Sequence, residues 1–181
     1  MPDSVSGKSA EPMGEPVIHT FPRGGATLYG LAVGILVGIG NSYLDLDFTL
    51  RLELFGSLAA AIIVVLLLHE GLHGTVGVML GHKPTFGVQP PLVYTTFRDR
   101  IPCLHFIAIA LAPLLVLDAV FIALYAVGVL PLFMDLCFAV NTIGAVGDIW
   151  IAVKLVRYSS TALVQDTKTG VMVYRATAAV N

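Results

Sequence analysis

Four stretches of the chain are apolar over the length that a helix needs to cross a lipid bilayer, which is about 20 residues. They run over Ala26–Leu44, Leu54–Leu80, Pro102–Leu130 and Leu132–Val156. Pro113 lies inside the third stretch and predicts a bend there. The turn between the last two stretches, "GVLPLF", is so short that these two helices should form an antiparallel hairpin. The pattern predicts an all-α membrane protein with about four transmembrane helices in residues 24–157.

The remaining segments are polar or broken by Pro and Gly. Residues 1–23 have the composition of a flexible tail, in which His19 is expected to be exposed and without a role. The loop after the second span contains "PTFGVQPPLVYTTF", which predicts short extended segments. The C-terminal tail, residues 158–181, contains "ALVQDTKTGVMVYRA", which predicts two short strands around a "DTKTG" turn.

Composition supports the membrane class and excludes others. Only 12% of residues are charged and 56% are hydrophobic, with a mean hydropathy of +0.86. A soluble domain carries about 25% charged residues. The net charge of −2 and the absence of basic blocks argue against nucleic acid as a partner. Cys103 and Cys137 fall near opposite ends of predicted helices, so we expect two buried, unpaired thiols.

The charges in the loops predict the orientation in the membrane, because cytoplasmic loops carry an excess of Lys and Arg. The first loop is dominated by Asp45, Asp47 and Glu53. Basic residues occur instead in the tail, in the second loop and after the last span, at Lys8, Arg23, Lys83, Arg98, Arg100, Lys154 and Arg157. Both termini and the second loop are therefore expected in the cytoplasm.

Three ionisable residues interrupt the second apolar stretch in the sequence "HEGLHG". His69 and His73 are four residues apart, so on a helix they lie on one face about one turn apart. This spacing suits two imidazole ligands of one Zn²⁺ ion, with Glu70 beside them as the base for a water molecule. The alternative is a set of packed polar residues that bridge helices. Gly71, Gly74 and Gly77 would allow a neighbouring helix or an extended substrate to come close.

A catalytic zinc site needs a third protein ligand, and the candidates are His82, His105, Asp118 and Asp148. At 1.5 Å per residue, His69 and His73 lie roughly 10–16 Å from the inner end of their span, and Asp148 lies roughly 13 Å from the inner end of its own. Asp118 is roughly 24 Å out and His105 only about 5 Å in. Asp148 is therefore the predicted ligand.

The three other candidates have plainer interpretations. Asp118 is expected to be a carboxyl group bonded to another helix. His105 is expected to be a polar tip at the membrane interface, with a contact to substrate as the alternative. His82 is expected to be a cation near the C-terminal dipole of its helix.

Asn141 lies two turns before Asp148, on nearly the same helical face. An uncharged amide near a metal could orient or polarise a substrate carbonyl group, which would give Asn141 a catalytic role. A hydrogen bond between helices is an equally good interpretation of this residue.

The residues quoted above resemble a family of membrane-embedded zincin peptidases. The resemblance rests on "HEGLHG", on the loop with Gly and Pro, on "APL" at 112–114 and on "NTIGAVGD", and it covers roughly residues 55–165. More distantly the chain is similar to the site-2 proteases, intramembrane metalloproteases with an HExxH helix and an Asp ligand on a later helix. Asn141 is followed by Thr142, whereas those proteases have an Asn-Pro motif. The resemblance implies a metal-dependent endopeptidase.

The sequence thus predicts an intramembrane zinc metallopeptidase with His69, His73 and Asp148 as metal ligands and Glu70 as general base. Its expected partners are a peptide or membrane-protein substrate and the lipid bilayer, and its oligomeric state is left open. A metal transporter or membrane metal sensor that uses the same ligands is the alternative. Its weakness is the lack of further polar residues that would form a path through the outer half of the spans.

Overall fold

The computed structural model describes residues 17–20, 48–89, 92–167 and 170–174. Within them, α1 spans Phe48–Met79, α2 spans Cys103–Ala126, α3 spans Pro131–Gly144 and α4 spans Val146–Leu155. Leu52–Met79 of α1 and the whole of α2 are long and apolar enough to cross a membrane. Helices α3 and α4 qualify only as one span with a bend of 41°. The predicted span at 26–44 lies outside the described residues, so about four transmembrane helices remain a prediction.

The described helices pack around a shared apolar core. Its buried members come from α1, α2 and α3, and they are Ala61, Val65, Leu117, Phe121, Met134, Cys137 and Val140. Large apolar side chains also cover the outside of the helices, where Ile63 is 61% exposed and Leu115 is 65% exposed. A surface of this kind fits contact with lipid rather than with water. Hydrophobicity on all sides of a helix is typical of a membrane span.

Short antiparallel strands occur in both places where the sequence predicts them. Strands β2 (Pro84–Gln89) and β3 (Leu92–Phe97) form a hairpin after α1. Strands β4 (Ile101–Pro102), β5 (Leu163–Thr167) and β6 (Gly170–Tyr174) join β1 (Val17–Thr20) in a four-stranded sheet of order β1-β6-β5-β4. All of these strands lie at the end of the helices where α1 ends and α2 begins, which we call the sheet end.

The sheet changes two expectations. The described part of the chain combines helices with two small sheets, so the class is not all-α. Residues 17–20, assigned above to the flexible tail, form β1 and pair with β6 from Val17↔Val173 to Thr20↔Gly170. His19 is therefore placed in a strand, and its Nε2 lies 2.7 Å from the Tyr158 hydroxyl group. Pairing between residues about 150 positions apart leaves no local sequence signal.

Two glycines of α1 contact aromatic rings of the β2–β3 hairpin rather than another helix. A Cβ atom at Gly74 would meet the Phe86 ring, and one at Gly77 would meet the Phe97 ring. At Gly71 the corresponding position is open. Phe97 is buried and belongs to a second core that joins the sheet to the ends of α2 and α4. The glycines after Glu70 thus bring the β2–β3 hairpin directly beside the HExxH motif.

Two further predictions can be compared with the structure. Cys103 and Cys137 are free and buried, as predicted. The turn at 127–130 is tight, with Gly128 and Leu130 both at positive φ, and Pro131 begins α3 at the first helical position. Helices α2 and α3 pack against each other after this turn, which is the predicted antiparallel hairpin.

Candidate metal centre

The two histidines of the motif lie on one face of α1 and point into the bundle. His69 is 8% exposed and His73 is 9% exposed, and their ring centroids are 4.8 Å apart. Both Nε2 atoms face Asp148. His69 Nε2 lies 3.0 Å from Asp148 Oδ2, and His73 Nε2 lies 3.6 Å from Asp148 Oδ1. The structure therefore brings together the three residues predicted as metal ligands.

Asp148 reaches the histidines because the last apolar stretch is not one straight helix. It breaks at Ala145, which is fully buried, and α4 begins with Asp148 in its first turn. The bend of 41° turns α4 relative to α3. Asn141 on α3 and Asp148 on α4 consequently contact opposite nitrogens of the same His69 ring.

The donor set fits zinc. Two imidazole nitrogens and a carboxylate are ligands that Zn²⁺ accepts, and three protein ligands leave a fourth position open for a reacting group. Tetrahedral bonds of about 2.0–2.1 Å place neighbouring ligand atoms about 3.3 Å apart. The separations of 3.0 and 3.6 Å from Asp148 to the two Nε2 atoms lie on either side of this value.

Glu70 is also close enough to be considered as a ligand, because one ligand atom from each of His69, Glu70 and His73 falls within 4.8 Å of the others. Its carboxylate is engaged elsewhere, however. Glu70 Oε2 accepts a hydrogen bond of 2.6 Å from the backbone N–H of Thr95 on β3. The Thr95 hydroxyl group donates to the Glu70 backbone oxygen at 2.8 Å. Asp148, whose two oxygens face the two histidines, is therefore the better candidate for the third ligand.

Both histidine rings are held at Nδ1 by acceptors of the protein. His73 Nδ1 donates to the Ile109 backbone oxygen at 2.8 Å, and His69 Nδ1 donates to Asn141 Oδ1 at 2.9 Å. The Asn141 amide in turn donates through Nδ2 to Asp118 Oδ1 at 2.8 Å and to the Pro113 backbone oxygen at 3.1 Å. Asn141 is fully buried, and this arrangement matches the interpretation as an interhelical hydrogen bond.

A cavity of about 150 Å³ adjoins the site on its sheet side. Its polar lining comes from Glu70, His73, Asp148, Thr95 and Asp166, and aromatic side chains of the hairpin close it. Asp166 on β5 is hydrogen-bonded by the backbone N–H of Phe97 and by Thr96. Burial raises the pKa of Asp166, and the negative charge of Glu70 adds to this rise.

The other sequence candidates lie apart from the histidine nitrogens that face Asp148. Asp118 binds Asn141 and Thr142 on α3, so it is bonded to another helix as expected. His105 Nδ1 lies 3.0 Å from His82 Nε2 near the sheet end. Burial and the nearby His105 lower the pKa of His82, which favours its neutral form. The expectation of a cation at His82 is therefore wrong.

Three groups beside the histidines were not found from the sequence. The backbone groups of Thr95 and Ile109 cannot be recognised from the sequence, because they do not depend on the type of side chain. Asp166 does have a signal, because side chains two apart in a strand share a face. Val164 is fully buried, so Asp166 on the same strand also faces inward. An acidic residue on the same strand face as a buried Val is unusual, and this could have marked Asp166 as a candidate functional residue.

Comparison with known proteins agrees with this centre. A family model described as "Putative zincin peptidase" matches residues 62–163, which is more than half of the chain, and the chain belongs to this family. It is also similar to an uncharacterized 24.7 kDa protein (gap 5'region) from Pyrococcus woesei, with 28% identity over 149 residues. The match covers 78% of this chain and 66% of that protein. No solved structure gives a significant match.

Proposed function

We propose that the protein is a zinc metallopeptidase that hydrolyses a peptide bond within the membrane region. The observation that carries the proposal is the convergence of His69 Nε2, His73 Nε2 and both Asp148 oxygens beside the Glu70 carboxylate. Membership in a zincin family supports the same reaction class. Ionisable groups at membrane depth are costly unless they are paired, and a bound cation would offset this cost for Asp148.

The residues of the chain divide the work of hydrolysis. When bound, zinc supplies a Lewis acid for the substrate carbonyl group and lowers the pKa of a water ligand to about 7. Glu70 accepts a proton from the attacking water and passes it to the nitrogen of the leaving amine. The hydrogen bond from the Thr95 N–H orients the Glu70 carboxylate toward the cavity, where a substrate carbonyl group can lie.

The substrate class is a polypeptide, either a soluble peptide or a segment of a membrane protein. The cavity is lined by Tyr94 and Phe97 of the hairpin and by Asp166 of β5, and we propose that substrate enters from the sheet end of the helices. The exposed basic residues Lys83, Arg98, Arg100 and Arg157 lie at this end, and their excess favours its placement in the cytoplasm. Both termini are then cytoplasmic as well.

A transporter or sensor gains no support from the described residues. Within them, the group of His, Cys, Asp and Glu residues close enough to hold a metal ion consists of His69, Glu70 and His73, and Asp148 adjoins this group. A path for ions would need further polar positions along the spans. The outward faces of α1 and α2 carry apolar residues instead.

The decisive variant is Glu70→Gln, tested on the purified full-length chain with a fluorogenic peptide and a membrane-protein segment as substrates. Losing the general base is expected to lower turnover by about 10²–10⁴-fold. Zinc content should stay near that of the unaltered protein, because Glu70 is not a ligand. Glu53→Gln, the same change at an exposed position of α1, is the matched control. Full turnover in Glu70→Gln would contradict the proposed base, and a chain that binds no zinc would contradict the whole proposal.

The orientation has its own test. Single cysteines placed at 45–47 and at 83–100 can be labelled from outside with a membrane-impermeant thiol reagent. We expect the first set to react and the second to be protected until the membrane is opened. The two native cysteines are buried, so they should add little background. The opposite labelling pattern would put the sheet end outside the cell.

A further inference from the structure

Helix α2 contributes no metal ligand, yet it determines how both histidine rings are held. Imidazole binds zinc through one nitrogen only when the proton is on the other, and the partner of that other nitrogen fixes the choice. For Nε2 of each ring to bind a metal beside Asp148, Nδ1 must carry the proton. The acceptors at Nδ1 are the Ile109 backbone oxygen for His73 and the Asn141 amide oxygen for His69.

The Ile109 oxygen is available because of Pro113. In an α-helix the carbonyl of residue 109 accepts a hydrogen bond from the N–H of residue 113. Proline has no N–H, so its presence inside a helix leaves this carbonyl without its usual donor. Pro113 lies inside α2, and His73 donates to the freed oxygen at 2.8 Å. The proline thus provides a buried acceptor at the depth of the HExxH motif, besides any bend that it causes.

The Asn141 amide is held in one orientation. Its Nδ2 group has two acceptors, Asp118 Oδ1 and the Pro113 oxygen, and its Oδ1 faces His69. If the amide were turned over, its oxygen would face the Asp118 carboxylate and its NH2 group would face His69 Nδ1. Two acceptors would then oppose each other in a buried site, which is unfavourable. Asp118 is itself fixed, because its Oδ2 accepts from the Thr142 hydroxyl group at 2.9 Å.

We propose that Asp118 and Pro113 are positioning residues for zinc, an inference that rests on the proposed zinc site. Asp118 acts through Asn141 and selects the His69 tautomer whose Nε2 can bind metal. Pro113 acts through the Ile109 oxygen and does the same for His73. Asn141 and the Ile109 oxygen are the direct partners of the two ligands, and loss of such a partner changes metal affinity by about 10–100-fold. Asp118 and Pro113 keep these two partners in place.

The first test compares Asp118→Leu with Asp118→Asn by measuring the affinity of the purified full-length chain for Zn²⁺ against a competing chelator. Leucine has a similar shape but no acceptor, and it should weaken zinc binding by about 10–100-fold. Asparagine keeps an oxygen for Asn141 Nδ2, and its affinity should stay near that of the unaltered chain. The same two changes at Asp135, an exposed position on α3, are the matched control.

The second test separates positioning from general stabilisation. Pro113→Ala restores the N–H that competes with His73 for the Ile109 oxygen, while it removes a residue that disfavours helix. Zinc affinity should fall, toward the lower end of the same range, although the metal-free chain unfolds at an equal or higher temperature. A purely structural role would move both quantities in the same direction. Pro131→Ala, at the first position of α3, serves as control.

A third readout is the visible absorption spectrum of the chain loaded with Co²⁺, which depends on ligand geometry. Altered Co²⁺ spectra in Asp118→Leu and Pro113→Ala, with an unaltered one in Asp118→Asn, would support the inference. Unchanged zinc affinity in both variants would overturn it, as would equal losses in Asp118→Leu and Asp118→Asn. Zinc binding by the unaltered chain distinguishes the zinc-site proposal from the positioning proposal. If the unaltered chain binds no zinc, both proposals are overturned. If it binds zinc, the variants test the positioning role of Asp118 and Pro113 alone.

Discussion

The two histidines of the HExxH motif are contacted by two regions of different construction. On the helix side, which consists of Asp118, Asn141 and Asp148, side chains from α2, α3 and α4 bond to one another and to the His69 ring. On the sheet side, which consists of Glu70, Thr95, Phe97 and Asp166, carboxylates accept hydrogen bonds from backbone N–H groups of β3. Asn141 on the helix side is fully buried, whereas all four residues of the sheet side line the cavity, which Asp148 also reaches from the helix side.

This difference separates two tasks. Fully satisfied buried networks are rigid, and rigidity suits groups that set the geometry of a metal. The sheet side instead uses the edge of β3 that faces away from β2. The backbone groups of an edge strand are not consumed by sheet pairing, so they can hold a carboxylate and still face open space. Under the proposed function, the helix side would set the affinity for zinc, and the sheet side would hold the general base and admit the substrate.

The largest expected effect comes from the helix side, with Asp148→Ala. Loss of a ligand should weaken zinc binding by more than about 100-fold, beyond the range for outer partners, and abolish hydrolysis. His105→Ala is the control and should keep zinc, because His105 contacts His82 instead. The zinc content of the Asp148→Ala and His105→Ala variants is measured after dialysis. Normal zinc in Asp148→Ala with loss in His105→Ala would show that the assigned ligand set is wrong.

A smaller effect is expected on the sheet side from Thr95→Pro, which removes the N–H that donates to the Glu70 carboxylate and also the hydroxyl group that donates to the Glu70 backbone oxygen. Proline is tolerated on the free edge of a strand, and this N–H does not serve the β2–β3 ladder. We expect kcat to fall by about 10-fold, a part of what a general base contributes, with zinc affinity unchanged. Thr95→Val keeps the N–H and removes the hydroxyl group as a control. A fall in zinc affinity comparable to that of Asp148→Ala would show that the two sides are not separate.

The smallest effect should come from Asp166→Asn and should appear as a pH dependence of stability. Burial raises the pKa of Asp166 in the folded chain above its ordinary value of 3.8, so the folded state binds more protons than the unfolded state just above that pH. Stability therefore falls as the pH rises from about 4 through the raised pKa, and is constant beyond it. Asp166→Asn should remove this decline and unfold at a higher temperature at pH 7.

Thermal unfolding in detergent from pH 4 to 7 measures the change, with Asp135→Asn as the exposed control. Identical pH profiles for Asp166→Asn and the unaltered chain would mean that the carboxyl group of Asp166 is not buried. Asp166 on β5 would then be exposed to solvent, and the sheet side would differ even more from the buried helix side.

The helix side could be predicted further than the sheet side. His69 and His73 follow from a local spacing, and Asp148 follows from depth, because rise per residue is the same in every helix. Depth does not give the direction in which a residue points around the helix axis. For that reason depth places Asp118 away from the histidines but does not reveal its connection to His69 through Asn141. Pro113 predicted a bend, and its effect on the Ile109 oxygen depends on the neighbouring helix.

The sheet side depends on pairing between distant segments and on backbone groups. The pattern in "PTFGVQPPLVYTTF" predicts strands. It does not predict that the Phe86 and Phe97 rings of these strands pack against Gly74 and Gly77. The strand at 17–20 pairs with 170–173, and hydropathy carries no information on such a partner. Charged and apolar patterns therefore predict which segments cross the membrane better than they predict what assembles at their ends.

The order of the proposed ligands along the chain has a consequence for how the protein is made. Asp148 follows His73 by about 75 residues. At a synthesis rate of about 5–20 residues per second, the ribosome needs ~4–15 s to pass from one to the other. During this interval the nascent chain already displays its motif to the membrane but lacks the carboxylate that completes the metal site. Under the proposed function, the order of the ligands along the chain delays the complete set of three ligands until α4 has been synthesised.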